Sequence, residues 1–344
     1  MRKWINVLLA LTMVFALVAC VSANEAPATT PAQAAETPPE VEQPTIDYPT
    51  KPITVIVPFS AGGEHDLTAR VIAGRLQEMF GWNVVIQNTT GASVAAMEYY
   101  SDDSKTDGYT LFMHSPEVMA SSYVSGSLTE PLYKEFTYLG CFVYDPMVIC
   151  VSADSPYNTL EELFAAAKEN PEGLNWASTG ASGKNLQDAE NLWNIAGVKF
   201  NYVPYDDAAK ARVAVLGGHA DVYHAYASGA KASIEAGDLK ALAVGSTERT
   251  VFWPDVPTFA ECGIDVQVGL TRCWDIRSDV DSAIIDYLTE KIYECWEDET
   301  TQKQLLDMGQ SPTWMTNEEM HEYGEYYYGV YSEYGSKYLK EFND

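Results

Sequence analysis

Apolar positions change their period along this chain. The run ITVIV (53–57) is short and continuously apolar, which predicts a buried strand. Leu67, Val71, Ile72, Leu76 and Met79 then recur at steps that fit one helix face. NVVIQN (83–88) and GYTLFMH (108–114) read as strands, and TYLGCF (137–142) and PMVICVS (146–152) as two further extended runs. Thr159 and Glu162 form a capping-box pattern ahead of LFAAAKEN, with Pro171 beyond that helix end. LNWAS, KFNYVPY, ADVYHAY and LKALAV follow as strands, separated by helical stretches from Lys184, Asp206 and Ser228. This alternation predicts an α/β fold with a mainly parallel sheet and no internal repeat. Tyr323, Tyr327, Tyr331, Tyr334 and Tyr338 form a stripe at helical spacing. Such a stripe packs a terminal helix onto its domain more often than it stacks a sugar.

The two ends of the pattern differ from its middle. MRK, the apolar run WINVLLALTMVFALVA and the box LVAC predict a secretory signal over 1–20, with a lipid on Cys20. A diacylated Cys20 would anchor the protein at the outer face of the cytoplasmic membrane. Residues 21–47 are rich in Ala, Pro, Thr and Glu without apolar periodicity, and read as a disordered tether. The remaining chain is long enough for two domains. A formal charge of −28 disfavours nucleic acid and anionic lipid surfaces as partners. Beyond Cys20, Cys141, Cys150, Cys262, Cys273 and Cys295 match no zinc or redox spacing. Buried thiols are expected, with one unassigned disulfide left open. No second apolar run is long enough to span a bilayer.

Candidate chemistry gathers where strands meet helices. In SAGGEHD (60–66) a strand runs through two glycines into a helix start. A helix start offers unpaired N–H groups and positive partial charge, and glycine lets a ligand approach the backbone. The loop therefore suits an anion, most simply a carboxylate, or else it is a structural turn with Asp66 as helix cap. The loops at Gly91-Ala92-Ser93, at Ser178–Gly183 and at Tyr205-Asp206 share this grammar, which suggests a cleft lined from two sides. TGASGKN lacks the first glycine and the final hydroxyl of a phosphate loop. His219 and His224 are spaced for neither one helix face nor one strand face, so no metal is expected there. His114-Ser115 has no identifiable acid partner, and no GxSxG elbow exists. No catalytic set and no cofactor motif remain.

At these loops the chain resembles the extracytoplasmic solute receptors of tripartite tricarboxylate transporters, the Bug receptors. The likeness runs from Tyr48 to about Met320. Its marks are YPTKPITVIVPFSAGGEHDLTAR, GYTLFM, VPYDDAAKARVAVLGGHADV, LKALAVGSTER and WPDVPTFAECG. The resemblance implies a type II periplasmic-binding-protein fold. Two α/β lobes, 48–150 with 270–344 and 151–269, would be joined by two crossing strands and hinge near Cys150 and Leu270. It implies a monomer without catalysis that captures a small organic acid and delivers it to membrane permease subunits. Carried over, the ligand residues are Phe59, Ser60, Ala61, Gly62, Gly63 and Asp66, with Gly91, Ala92 and Ser93. From the second lobe come Ser178, Thr179, Ser182, Tyr205 and Asp221. The chain departs from the family pattern at Glu64-His65, Thr90-Gly91-Ala92-Ser93, Gly183-Lys184-Asn185 and Asp206-Asp207, which bears on the ligand more than on the fold. A secreted α/β enzyme using the same cleft and a sensory receptor are the alternatives. Glu64, Asp206 and Asp207 flank the expected cleft, with Lys184 as its one evident cation. That balance points away from a bare tricarboxylate and toward a monocarboxylate or an amino acid, unless these acids face solvent.

Overall fold

The computed structural model describes residues 46–129, 132, 135–181 and 183–338, with side chains as far as Glu333. Cys20, the tether up to 45, and Ser182 lie outside the described residues. Strand β1 (Ile53–Val57) pairs in parallel with β2 (Val84–Asn88) and β3 (Thr110–His114). Helix α1 (Glu64–Phe80) lays Ala69, Ile72, Ala73 and Leu76 onto Ile53, Val55 and Val57. Burying Ile72 and Leu76 contributes about 2–3 kcal/mol each. The helix stops at Gly81, which is left-handed and returns its N–H to Gln77 O. Helices α2 (Ala92–Ser101) and α3 (Pro116–Val124) complete this stretch.

The two extended runs expected at 137–142 and 146–152 are one strand, β4 (Phe136–Ser152). Its first part pairs antiparallel with β9 (Gly269–Arg277), from Phe136 opposite Arg277 to Pro146 opposite Gly269. From Met147 onward its partners are β7 (Val222–Tyr226) and β8 (Leu239–Val244). Pro146 has no N–H to donate, and it stands where the ladder changes partners. Cys150, the expected boundary, pairs with Tyr223 and Ala241, inside the second pairing stretch.

The second half alternates α4 (Leu160–Glu169), β5 (Asn175–Thr179), α5 (Lys184–Ala196), β6 (Asn201–Tyr205), α6 (Ala208–Leu216) and α7 (Ala227–Glu235) around those strands. Thr159 caps α4 through the N–H of Glu162, as the capping pattern predicts. The strand order is β2-β1-β3-β9-β4-β7-β5-β6. The sheet is therefore mixed, with parallel strands outside and antiparallel ones at the centre, instead of mainly parallel. The reason is that β4 and β9 cross between the halves directly, without a crossover helix to set them parallel.

Helices α8 (Ser282–Glu297) and α9 (Glu299–Asp307) return to the first half, and β10 (Ser311–Met315) pairs with β4. The terminal helix α10 (Asn317–Tyr338) buries Tyr327 and Tyr331 beside Ala120 of α3, so the tyrosine stripe does pack a helix. It also bonds to both halves. Tyr323 donates to Glu117 Oε1 at 2.7 Å, Tyr327 to Gln267 O at 3.0 Å, and Tyr331 to Asp188 Oδ1 at 2.7 Å. Among the described residues, no helix is long and apolar enough to cross a membrane.

Candidate ligand-binding site

After β1 the chain turns through Ser60, Ala61, Gly62 and Gly63, with the Gly63 N–H donating to Ser60 O at 3.1 Å. Gly62 has a φ of 80°, which glycine adopts without strain, and its N–H donates to Asp66 Oδ2 at 2.8 Å. Asp66 is buried in the first turn of α1. It also accepts from Arg70 Nε at 2.9 Å and from Asn88 Nδ2 at 3.0 Å, while Asn88 Nδ2 reaches Phe59 O at 3.1 Å. Burial works to raise the Asp66 pKa, but the bonds from Arg70, the Gly62 N–H and Asn88 outweigh it and hold the carboxyl below its usual range. Asp66 is therefore not the helix cap. The cap position is Gly63, which offers no side-chain acceptor. The first intrahelical bond runs from the Leu67 N–H to Gly63 O, so the N–H groups of Glu64, His65 and Asp66 face out of the helix start.

The adjoining strand ends the same way. Val57 pairs with Asn88, and Gly91 caps α2 in a left-handed conformation, without a side-chain cap, ahead of Ala92 and Ser93. In the second half Ser178 and Thr179 end β5, and Tyr205 ends β6 beside them, with the Gly180 N–H donating to Tyr205 O at 2.9 Å. The buried Ser178 hydroxyl has no partner of good geometry among the described residues. Thr179 Oγ1 accepts from Asn185 Nδ2 at 2.5 Å, which ties the loop to the start of α5. The Tyr205 side chain lines a hollow of about 580 Å³ with Asp207, Lys210, Val213 and His219.

Asp221 does not join this group. Its carboxylate accepts the Asn175 N–H at 2.8 Å, at the amino ends of β5 and β7. A strand of five residues puts it about 15 Å from the loops at the carboxyl ends. The flanking charges also differ from expectation. Asp206 is 86% exposed and pairs with Lys210 at 2.6 Å, and Asp207 caps α6 through the Lys210 N–H. Glu64 accepts from Gln310 Nε2 at 3.1 Å. Lys184 is buried on Asp188 at 2.5 Å and Tyr226 at 3.1 Å, so its charge is already matched. Asp207 serves a helix start, Asp206 and Glu64 are engaged by Lys210 and Gln310, and Lys184 is not a spare cation.

A buried polar junction that the sequence reading missed lies beside the α1 start. His65 stacks on Phe59 with ring centroids 3.8 Å apart, and its Nε2 meets Ser115 Oγ at 2.9 Å. Ser115 Oγ donates to Thr271 O at 2.6 Å, so His65 Nε2 carries the proton and donates. Burial, and after it the charge of Arg272, holds the His65 pKa well below the usual value and keeps the ring neutral. Arg272 Nη2 donates to Asp145 Oδ2 at 2.9 Å, and Asp145 also accepts the Ser228 N–H and hydroxyl from the start of α7. Glu117 accepts from the Thr271 N–H at 2.9 Å and from Tyr323; burial raises its pKa against the pull of Lys184 and Tyr323. The available signal was charge inside apolar strand runs, at Asp145 and in GLTRCWDIR.

His114 does have an acid partner, contrary to the sequence reading. Its Nδ1 lies 2.7 Å from Asp275 Oδ2 in a bent approach, and Tyr100 donates to the other oxygen of Asp275 at 2.5 Å. Burial raises the Asp275 pKa, against the pull of His114 and Tyr100. All three side chains are internal to the first half, where Phe136 and Tyr138 close over the His114 ring. Cys141, Cys150, Cys262, Cys273 and Cys295 are free thiols. Among the described residues no group of His, Cys, Asp and Glu is placed to hold a metal.

Two α/β halves, two direct crossing strands, and uncapped helix starts at the strand ends define the class of periplasmic solute-binding receptors. Residues 68–324 match the family described as tripartite tricarboxylate transporter family receptor, TctC. The chain belongs to that family, whose members are non-enzymatic receptors. It is 32% identical over 221 residues to protein BugT of Bordetella pertussis, covering 63% of this chain and 67% of that one. A Cupriavidus necator relative is 30% identical over 220 residues, and the aligned stretch spans 66% of its length. A TctC solute-binding protein from Polaromonas superposes with a TM-score of 0.74 at 27% identity, covering 84% of this chain and 99% of that one. The same fold occurs in the periplasmic binding protein BugD, in an R. palustris protein with adipate at 24% identity, and in MatC of Rhodopseudomonas palustris with bound malate at 22%.

Proposed function

We propose that this protein captures a small organic carboxylate between its halves and delivers it to the membrane permease of a tripartite tricarboxylate-type transporter. The observation that carries the reading is the start of α1. Its N–H groups face outward, no side chain caps it, and the one carboxylate in its first turn that is fully buried is turned inward by Gly62, Arg70 and Asn88. Asp66 thereby shapes the loop without presenting its charge to an anion. Ser60, Ala61, Gly62 and Gly63 with Gly91, Ala92 and Ser93 form the first wall; Ser178, Thr179 and Tyr205 form the second. The dicarboxylates held by two receptors of this fold agree with such a ligand.

The halves, divided at 146/147 and 268/269, close about the crossing strands. The change of partners at Pro146–Met147 supports a pivot there. Cys20 carries the lipid and residues 21–47 the tether, so the receptor works at the outer face of the cytoplasmic membrane. Thermal unfolding across mono-, di- and tricarboxylates and amino acids tests the reading. A ligand at a hundredfold excess over its Kd adds about 2.7 kcal/mol of apparent stability. A melting temperature unmoved by every carboxylate would rule the reading out. For the anchor, Cys20→Ala is expected to release the protein from the membrane fraction, and retention of an unlipidated variant there would refute it.

A further inference from the structure

Arg272 is 1% exposed, yet only one of its three nitrogens is used. Nη2 donates to Asp145, while Nε and Nη1 have no hydrogen-bond partner. A guanidinium has two flat edges able to grip a carboxylate in a fork, Nε with Nη2 and Nη1 with Nη2. Asp145 takes a single Nη2 proton, so whichever edge it uses, the other stays open. Buried donors without acceptors are costly, and a fold keeps them where something else completes them.

The position of Arg272 indicates what that is. In β9 the residue Cys273 pairs with His114, the last residue of β3, so Arg272 lies just beyond the carboxyl end of the parallel strands. Strand alternation puts it on the same face as Trp274, which packs with Ala69 and Ile72 of α1. It therefore stands at the rim beneath the start of α1, next to Thr271, whose carbonyl holds the Ser115–His65 pair.

We infer that Arg272 is a second anion-binding point of this site and that the ligand is a dicarboxylate, one carboxylate at the α1 start and the other in the open fork of Arg272. The inference rests on the proposed receptor function. Asp145 and Ser228 then act as positioning residues: they fix the guanidinium plane, and they join it to the start of α7 in the second half.

The test is calorimetry on the full chain with matched pairs, succinate against butyrate and adipate against hexanoate, in the parent and in Arg272→Gln. Arg272→Gln is expected to weaken the better-bound dicarboxylate on the order of 100-fold and to leave its monocarboxylate partner within about twofold. Arg272→Lys keeps the charge on Asp145 but loses the fork, and is expected to fall between, on the order of tenfold weaker. Should Arg272→Gln unfold because Asp145 is left unpaired, Asp145→Asn/Arg272→Gln removes both charges together and must show the same loss of preference. Equal weakening of both members of a pair would make Arg272 a structural residue and overturn the inference while leaving the receptor reading intact. An undiminished dicarboxylate preference, or a bound water alone on Nε and Nη1 in a ligand-bound structure, would overturn it as well. If the parent binds none of the four acids, the inference is overturned, while the receptor reading is decided by the wider thermal screen.

Discussion

At the scale of single residues, Asp66 and Arg272 show what a sequence does and does not disclose. Asp66 was partly legible because the Gly62 N–H and Arg70 are local partners, whereas its bond from Asn88 and its not being the helix cap were not. Arg272 was not, because its partner Asp145 stands 127 residues away and both sit in runs that read as plain strand. Asp66→Asn is expected to destabilise the protein by about 2 kcal/mol, since bonds from Arg70 and the Gly62 N–H lose a charged acceptor. Ligand affinity is expected to drop roughly tenfold as the loop loosens, on the order of one such bond. Urea unfolding and calorimetry read the two effects, and an unchanged affinity would remove Asp66 from the site. His224 carries a pH prediction. It is buried, both ring nitrogens lack partners, and burial, then Lys184, pushes its pKa down to about 3 from 6.5. As pH falls below 6.5 the unfolded chain takes up this proton first, so stability is lost on acidification, by about 2 kcal/mol at about pH 5. The raised carboxyls of Glu117 and Asp275 act in the opposite direction at lower pH. His65, likewise held neutral by burial, adds to this loss, so His224→Phe is expected to lessen but not abolish the dependence of the urea midpoint between about pH 7 and pH 5, and parallel curves would show that other groups set it.

At the scale of elements, local signals fared well and long-range pairing did not. Capping at Thr159, the α1 periodicity and the tyrosine stripe each depend on neighbours within a few turns. That TYLGCF and PMVICVS are one strand depends on β9, far along the chain, which supplies a continuous partner across Gly140 and up to Pro146. Gly140 belongs to that arrangement. Its φ is 145°, and a Cβ placed there would lie 2.2 Å from the Trp314 ring. Gly140→Ala is expected to cost about 2–4 kcal/mol in urea unfolding, from backbone strain and overpacking together. In α10 the stripe does more than pack. Tyr331→Phe leaves Asp188 with Lys184 alone, and a loss of about 1–2 kcal/mol is expected, with the buried ring contacts retained. A variant as stable as the parent would show that the Tyr331 hydroxyl contributes only shape.

At the scale of the whole molecule, the two halves meet through two crossing strands, α10, the packing of α3 on α5 and bonds such as those of Ser228 to Asp145 and of Tyr144 to Gly245 O. Closure on ligand about the crossing strands is expected to reduce the radius of gyration in solution scattering, and an equal radius at saturation would argue for a rigid receptor. The feature that most shapes this layout is the change of partners in β4. Pro146 lies opposite Gly269, and the Met147 N–H donates to Val268 O at 2.9 Å. Residues 147–268 thus leave and re-enter the first half through one doorway. In genetic terms they are an insert whose ends touch. The first half cannot be expressed as one continuous stretch, whereas the insert can be exchanged between relatives as a cassette without designing a new linker. A chimaera cut at 146/147 and 268/269 is expected to fold with one cooperative transition, and cuts made inside the second pairing stretch, at Cys150, are expected to break the β7 and β8 ladders and give aggregates.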